Sequence, residues 1–146
     1  MNPVQDYKTM RILKRLLHLN LHRITLYKHV LIQTHPLDQA IKALVKDKIA
    51  ASETFVCELT EQLFALQAEP SVTPVAPDNS AGFSRLLTLT LQHNTLRLLV
   101  CKMLEGYLIK SYEKAFAAYS LSLPVRRLVL RHQRRLAEQV SSEMCI

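Results

Sequence analysis

A chain of 146 residues with 49% hydrophobic and 21% charged residues, 2 glycines and no tryptophan has the composition of one compact helical domain, which excludes a disordered or collagen-like chain. The net charge of +7 and pI near 9.5 suit an anionic partner, and the lack of any uncharged apolar run of about 18 residues excludes a membrane span. Cys57, Cys101 and Cys145 lie far apart with no C-x-x-C pair, which excludes a zinc ribbon or a redox motif and points to a reducing compartment.

The first helix is expected from Tyr7 to about Gln33, where Met10, Leu13, Leu17, Ile24, Tyr27 and Leu31 recur at steps of three and four, interrupted at Asn20. Lys8, Arg11, Arg15, His18, His22 and His29 follow the same rhythm on a cationic face. A second apolar stripe of Ile12, Leu16, Leu19, Leu26 and Val30 widens the core side, so this helix should touch two neighbours or a partner chain. The early basic residues mimic a signal peptide, yet His18, Asn20, His22 and Arg23 break its apolar run, and cytoplasm is the expected location.

Pro36 stops the first helix and suits the first turn of a second, over about 37–67, with Ile41, Val45, Ile49, Ser52, Val56, Leu59, Leu63 and Leu66 on one line and Phe55 beside it. Three prolines and no periodicity mark 69–80 as a linker. A third helix over about 81–119 carries Leu86, Leu89, His93, Leu96, Val100, Met103 and Tyr107 on one seam, then Cys101, Glu105, Leu108, Tyr112, Phe116 and Tyr119 on another. The fourth, about 124–142, opens at Pro124 and turns Val125, Leu128, Val129, His132, Leu136 and Val140 inward. The expected fold is a single all-α domain, an antiparallel four-helix bundle with a Pro-rich linker between its second and third helices.

Glu105 and His132 occupy seam positions that the apolar pattern reserves for core residues, and such violations are where function concentrates. They could form a hydrogen-bonded pair, or parts of a carboxylate-bridged metal site with Glu58 or Glu53. His18 and His22, four residues apart, could share a zinc or nickel ion, although two ligands do not complete a site. Phosphate-cradling loops and nucleophile elbows are ruled out by having only Gly82 and Gly106. Arg11 and Arg15 on the first helix, with Arg127, Arg131 and Arg134 on the fourth, form a basic surface for nucleic acid or another anion.

The stretch Leu104-Glu105-Gly106-Tyr107-Leu108-Ile109-Lys110-Ser111-Tyr112-Glu113-Lys114-Ala115, then Leu123-Pro124 and a charged last helix, resembles the bacterial ferritin-like four-helix proteins of uncharacterised function. Phe55-Val56-Cys57-Glu58-Leu59 is similar to that group's Phe-x-x-Glu-Leu segment. The resemblance implies a ferritin-like plan with Glu105 and Glu58 as candidate metal ligands. It departs at Thr25, whose neighbourhood has no glutamate, and at His132, which follows Val129 instead of completing Glu-x-x-His. The departures imply a lost diiron centre. The leading expectation is a non-enzymatic bundle, without a cofactor, acting through its surface or as a homodimer through the first helix. A reduced iron, manganese or zinc site at Glu105, His132 and Glu58 is the alternative, and a basic anion-binding module the third.

Overall fold

The computed structural model describes residues 3–33, 39–66, 94–118 and 121–144. They are all-α: α1 spans Pro3–Gln33, α2 Gln39–Ala65, α3 Asn94–Ala117 and α4 Leu123–Met144. The expected linker over 69–80, the start of the third helix, His93 and Tyr119 lie outside the described residues.

The helix ends follow local chemistry. Asp6 in the first turn of α1 meets the positive end of the helix dipole. Pro124 occupies the first turn of α4, where its missing N–H is harmless, and the Arg126 amide closes that turn on the Ser122 carbonyl at 2.9 Å. The Arg126 side chain also reaches across to α3 and donates to the carbonyls of Phe116 (3.1 Å) and Ala118 (2.9 Å). Those are carbonyls that a helix end leaves without partners, so one arginine of α4 caps α3.

Each helix packs on two others: α1 on α2 and α3, and α4 on α2 and α3. Side-chain pairs give the directions. Positions that rise along α1, from Asn20 to Tyr27, meet positions that fall along α2, from Ser52 to Lys48, and along α3, from Tyr112 to Glu105. Glu58 of α2 meets Arg131 of α4, whereas Asp47 meets Gln139.

The apolar core has two parts. A large one unites all four helices through Leu13, Leu16, Leu59, Leu108, Tyr112 and Val129. A smaller one, around Leu26, Val45, Ile49, Val100 and Leu104, joins α1, α2 and α3 among the described residues. The second stripe of α1 serves this interior, because Leu16, Leu19 and Leu26 are buried and Ile12 and Val30 are half-buried. The buried part of this stripe is used on neighbours within the chain, while Tyr7 and Ile32 of the same helix are exposed. On α3 the expected seam positions Val100, Cys101, Leu108 and Tyr112 are buried, but Met103 and Phe116 are exposed, and Leu104, which neither seam included, is fully buried. Val140 of α4 is likewise exposed, and Gln139 is buried beside it.

Candidate functional site

Between the two apolar parts lies a layer of polar side chains contributed by all four helices. Its centre is Arg23 of α1, which is completely buried. A guanidinium has five N–H donors, and here each finds an acceptor. Nε donates to Glu105 Oε1 at 2.8 Å, and Nη2 to Glu105 Oε2 at 3.1 Å and Gln139 Oε1 at 2.7 Å. Nη1 donates to the Lys48 carbonyl at 3.3 Å and to Ser52 Oγ at 3.2 Å. Glu105 thus receives a two-pronged arginine fork, the strongest and most directional form of ion pair.

The carboxylate of Glu105 collects further partners on the same side. The Tyr27 hydroxyl donates to Oε1 at 2.8 Å, and the Lys48 ammonium stands 3.9 Å from it. Burial first, and then the neighbouring Glu105 charge, hold the Tyr27 phenol well above its ordinary pKa, so it stays a neutral donor. Gln139 carries the network outward: its amide donates to Asp47 Oδ2 at 3.0 Å, and Asp47 is also paired with Arg135.

A second branch runs from Arg23 towards the other end of the bundle, and its donors all point one way. Ser52 Oγ accepts from Arg23 and donates to Asn20 Oδ1 at 2.9 Å. Asn20 Nδ2 donates to the Leu16 carbonyl at 2.8 Å and to the Tyr112 hydroxyl at 3.0 Å. Tyr112 is then free to donate to His132 Nδ1, 2.7 Å away, which leaves the imidazole proton on Nε2, facing Glu58 Oε1 at 3.4 Å. The tautomer follows from the direction of the chain. Phe55 stacks on the same imidazole with ring centroids 3.8 Å apart and planes 17° from parallel. Burial pushes the His132 pKa down to about 4 despite the opposing pull of Glu58. The ring is neutral at pH 7.

The predicted site residues are distributed through this layer in an unexpected way. Glu105 and His132 do not pair; they sit on separate branches joined through Arg23, Ser52, Asn20 and Tyr112. Glu58 and His132 do meet, at the exposed rim, where Glu58 also accepts from Arg131 at 2.5 Å. Glu53 is exposed. A metal ion does not fit this arrangement: both oxygens of Glu105 are held by a buried cation, and a dication beside Arg23 would face a fixed positive charge in a low-dielectric interior. Among the described residues there is no group of three or more His, Cys, Asp or Glu side chains placed to hold a metal. His18 and His22 contact each other edge-on, with ring centroids 4.4 Å apart, and are half-buried. Arg11, Arg15, Arg127, Arg131 and Arg134 are all exposed, and Arg131 is paired with Glu58.

Sequence reasoning missed Arg23, Lys48, Tyr112 and Gln139 as members of the site. The signal was present as spacing. Asn20, Arg23 and Tyr27 step by three and four, Lys48 and Ser52 by four, and Glu105–Tyr112 and His132–Gln139 by seven, so every helix turns a polar pair inward. Among the described residues no helix is long and apolar enough to cross a membrane. Comparison of the chain with protein-family models, with curated proteins and with solved structures finds no match.

Proposed function

We propose that this protein is a non-enzymatic four-helix module of ferritin-like, antiparallel design, in which a guanidinium stands where such bundles hold metal ions, and that it acts through its surface. The observation that carries the reading is Arg23, with every donor satisfied and a fork on Glu105. The topology supports it. Packed neighbours run in opposite directions while α2 and α3 share a direction across the diagonal, which is the arrangement that a long connection between the second and third helices permits. The chemistry supports it as well, since a buried guanidinium with every donor engaged holds orientation and keeps both oxygens of Glu105 occupied. The free thiol of Cys57 suits a reducing compartment such as the cytoplasm.

Elemental mass spectrometry of untagged protein, alongside Glu105→Ala and the milder Glu105→Gln, tests the reading. It predicts no stoichiometric metal in any sample. Iron, manganese or zinc at one equivalent or more in the wild type, lost in both variants, would overturn it in favour of a reduced metal site at Glu105, His132 and Glu58. An anionic partner has a specific observation in its favour, namely that Arg127 and Arg134 of α4 are exposed and make no ion pair among the described residues.

A further inference from the structure

The arginines of α4 divide into two groups. Arg126 caps α3, Arg131 pairs with Glu58, and Arg135 pairs with Asp47 and Glu138. Arg127 and Arg134 are exposed and make no ion pair among the described residues. They lie seven residues apart, hence about two turns and roughly 10 Å along one side of the helix. Arg134 lines a groove of 590 Å³ between α3 and α4 together with Ile109, Glu113, Leu130 and Val140, and Arg127 lies about one turn before Leu130 on α4, outside that lining. On the α4 wall the groove runs from Leu130 to Ser141, about three helical turns.

We propose that this groove docks an amphipathic helix of another protein, with its apolar side seated on Ile109, Leu130 and Val140 and its carboxylates on Arg127 and Arg134. The proposal rests on the surface-acting reading above and names the surface and the partner. An apolar floor with Arg134 at its edge and Arg127 a heptad before it, neither ion-paired among the described residues, is the complement of a helix with an apolar stripe flanked by acids. Glu113 on the α3 wall orients the partner, because it repels carboxylates towards the α4 side. Duplex nucleic acid would use the arginines and leave the apolar floor unsatisfied. A second copy of this chain brings a net charge of +7 against the same positive rim.

The probe is a fluorescein-labelled amphipathic peptide of about 18 residues with leucines on one stripe and glutamates beside it, compared with its lysine counterpart, by fluorescence anisotropy at low and high salt. The glutamate peptide should bind, more weakly as salt rises, and the lysine peptide should not. The double variant R127E/R134E and the uncharged, groove-filling Ala137→Trp should each weaken binding at least about tenfold while circular dichroism stays unchanged. Ala137 is exposed and lines the groove, so the added ring blocks the site without touching the core.

Absence of binding, equal binding of both peptides, or indifference to either variant would overturn the proposal. So would vesicles of phosphatidylserine or duplex DNA binding through the arginines with no response to Ala137→Trp, which would make this a general anion surface. Sedimentation showing a dimer abolished by Ala137→Trp would assign the groove to a second copy and sink the proposal too. Metal content on the same sample separates the two claims: bound metal with peptide binding intact overturns the guanidinium reading alone, and no metal with no peptide binding overturns the groove alone.

Discussion

Lowering the pH from 7 to 4 should destabilise this protein through one imidazole. His132 is buried against Phe55 and accepts the Tyr112 proton on Nδ1, so a second ring proton has to be placed where a donor already points. Burial, opposed by Glu58, holds its pKa at about 4 in the folded protein, against an ordinary 6.5 in the unfolded chain. Between those values the unfolded chain binds the proton and the folded protein does not. Stability is complete above pH 6.5, declines as pH falls through 6.5 towards 4, and loses nothing more to this group below 4. At about 1.4 kcal/mol per pH unit the loss is about 3 kcal/mol, a large part of the roughly 5–15 kcal/mol that holds a domain folded. Urea unfolding at pH 7 and pH 4.5 reads it as a fall in midpoint of about 1–2 M for the slope usual in small domains. His132→Gln keeps an acceptor for Tyr112 and removes the titration, so its midpoint should fall much less over the same interval. A wild-type midpoint that holds from pH 7 to 4.5, or a variant that falls as far as the wild type, would refute the reasoning.

Tyr112→Phe strands the His132 acceptor and removes one partner of Asn20, and should cost about 1–3 kcal/mol in urea unfolding at pH 7. Arg23→Met leaves the half-buried Glu105 beside fewer donors and should cost about 2–4 kcal/mol, whereas the double variant with Glu105→Leu should recover a substantial part of that in a double-mutant cycle. Gly106 lies in the interior of α3, is exposed, and a Cβ built there meets nothing within 4 Å, so Gly106→Ala should raise stability by about 0.5–1 kcal/mol in thermal unfolding.

The elements that periodicity made legible are those whose burial is apolar. Of the expected α2 line, Val45, Ile49, Ser52, Leu59 and Leu63 are buried, Val56 and Leu66 are half-buried and Ile41 near the helix start is exposed; on α4, Val125, Leu128, Val129, His132 and Leu136 are buried as expected. The apolar rule failed where the interior is polar. At the middle of α1 it selected Ile24, which is half-buried, over Arg23, one residue away and completely buried. No single-helix pattern nominates a buried arginine, because its burial is tolerable only when other helices bring acceptors for all its donors. Glu105 and His132 were identifiable as misplaced polar residues, but their partners lie on other helices: Glu105 meets Arg23, and His132 meets Tyr112 and Glu58. Gln139 and Lys48 escaped notice for the same reason.

The central claim is that Arg23 occupies the middle of the bundle as a fixed, saturated cation, and its side-chain nitrogen resonances test that most directly. In a ¹H–¹⁵N spectrum of protein labelled at arginine, the account predicts separate, slowly exchanging Nη signals for Arg23, lost in Arg23→Lys and unmoved by added zinc, manganese or ferrous iron. Arg23 signals that exchange and average like those of the exposed arginines, or that shift on adding one equivalent of metal, would contradict it.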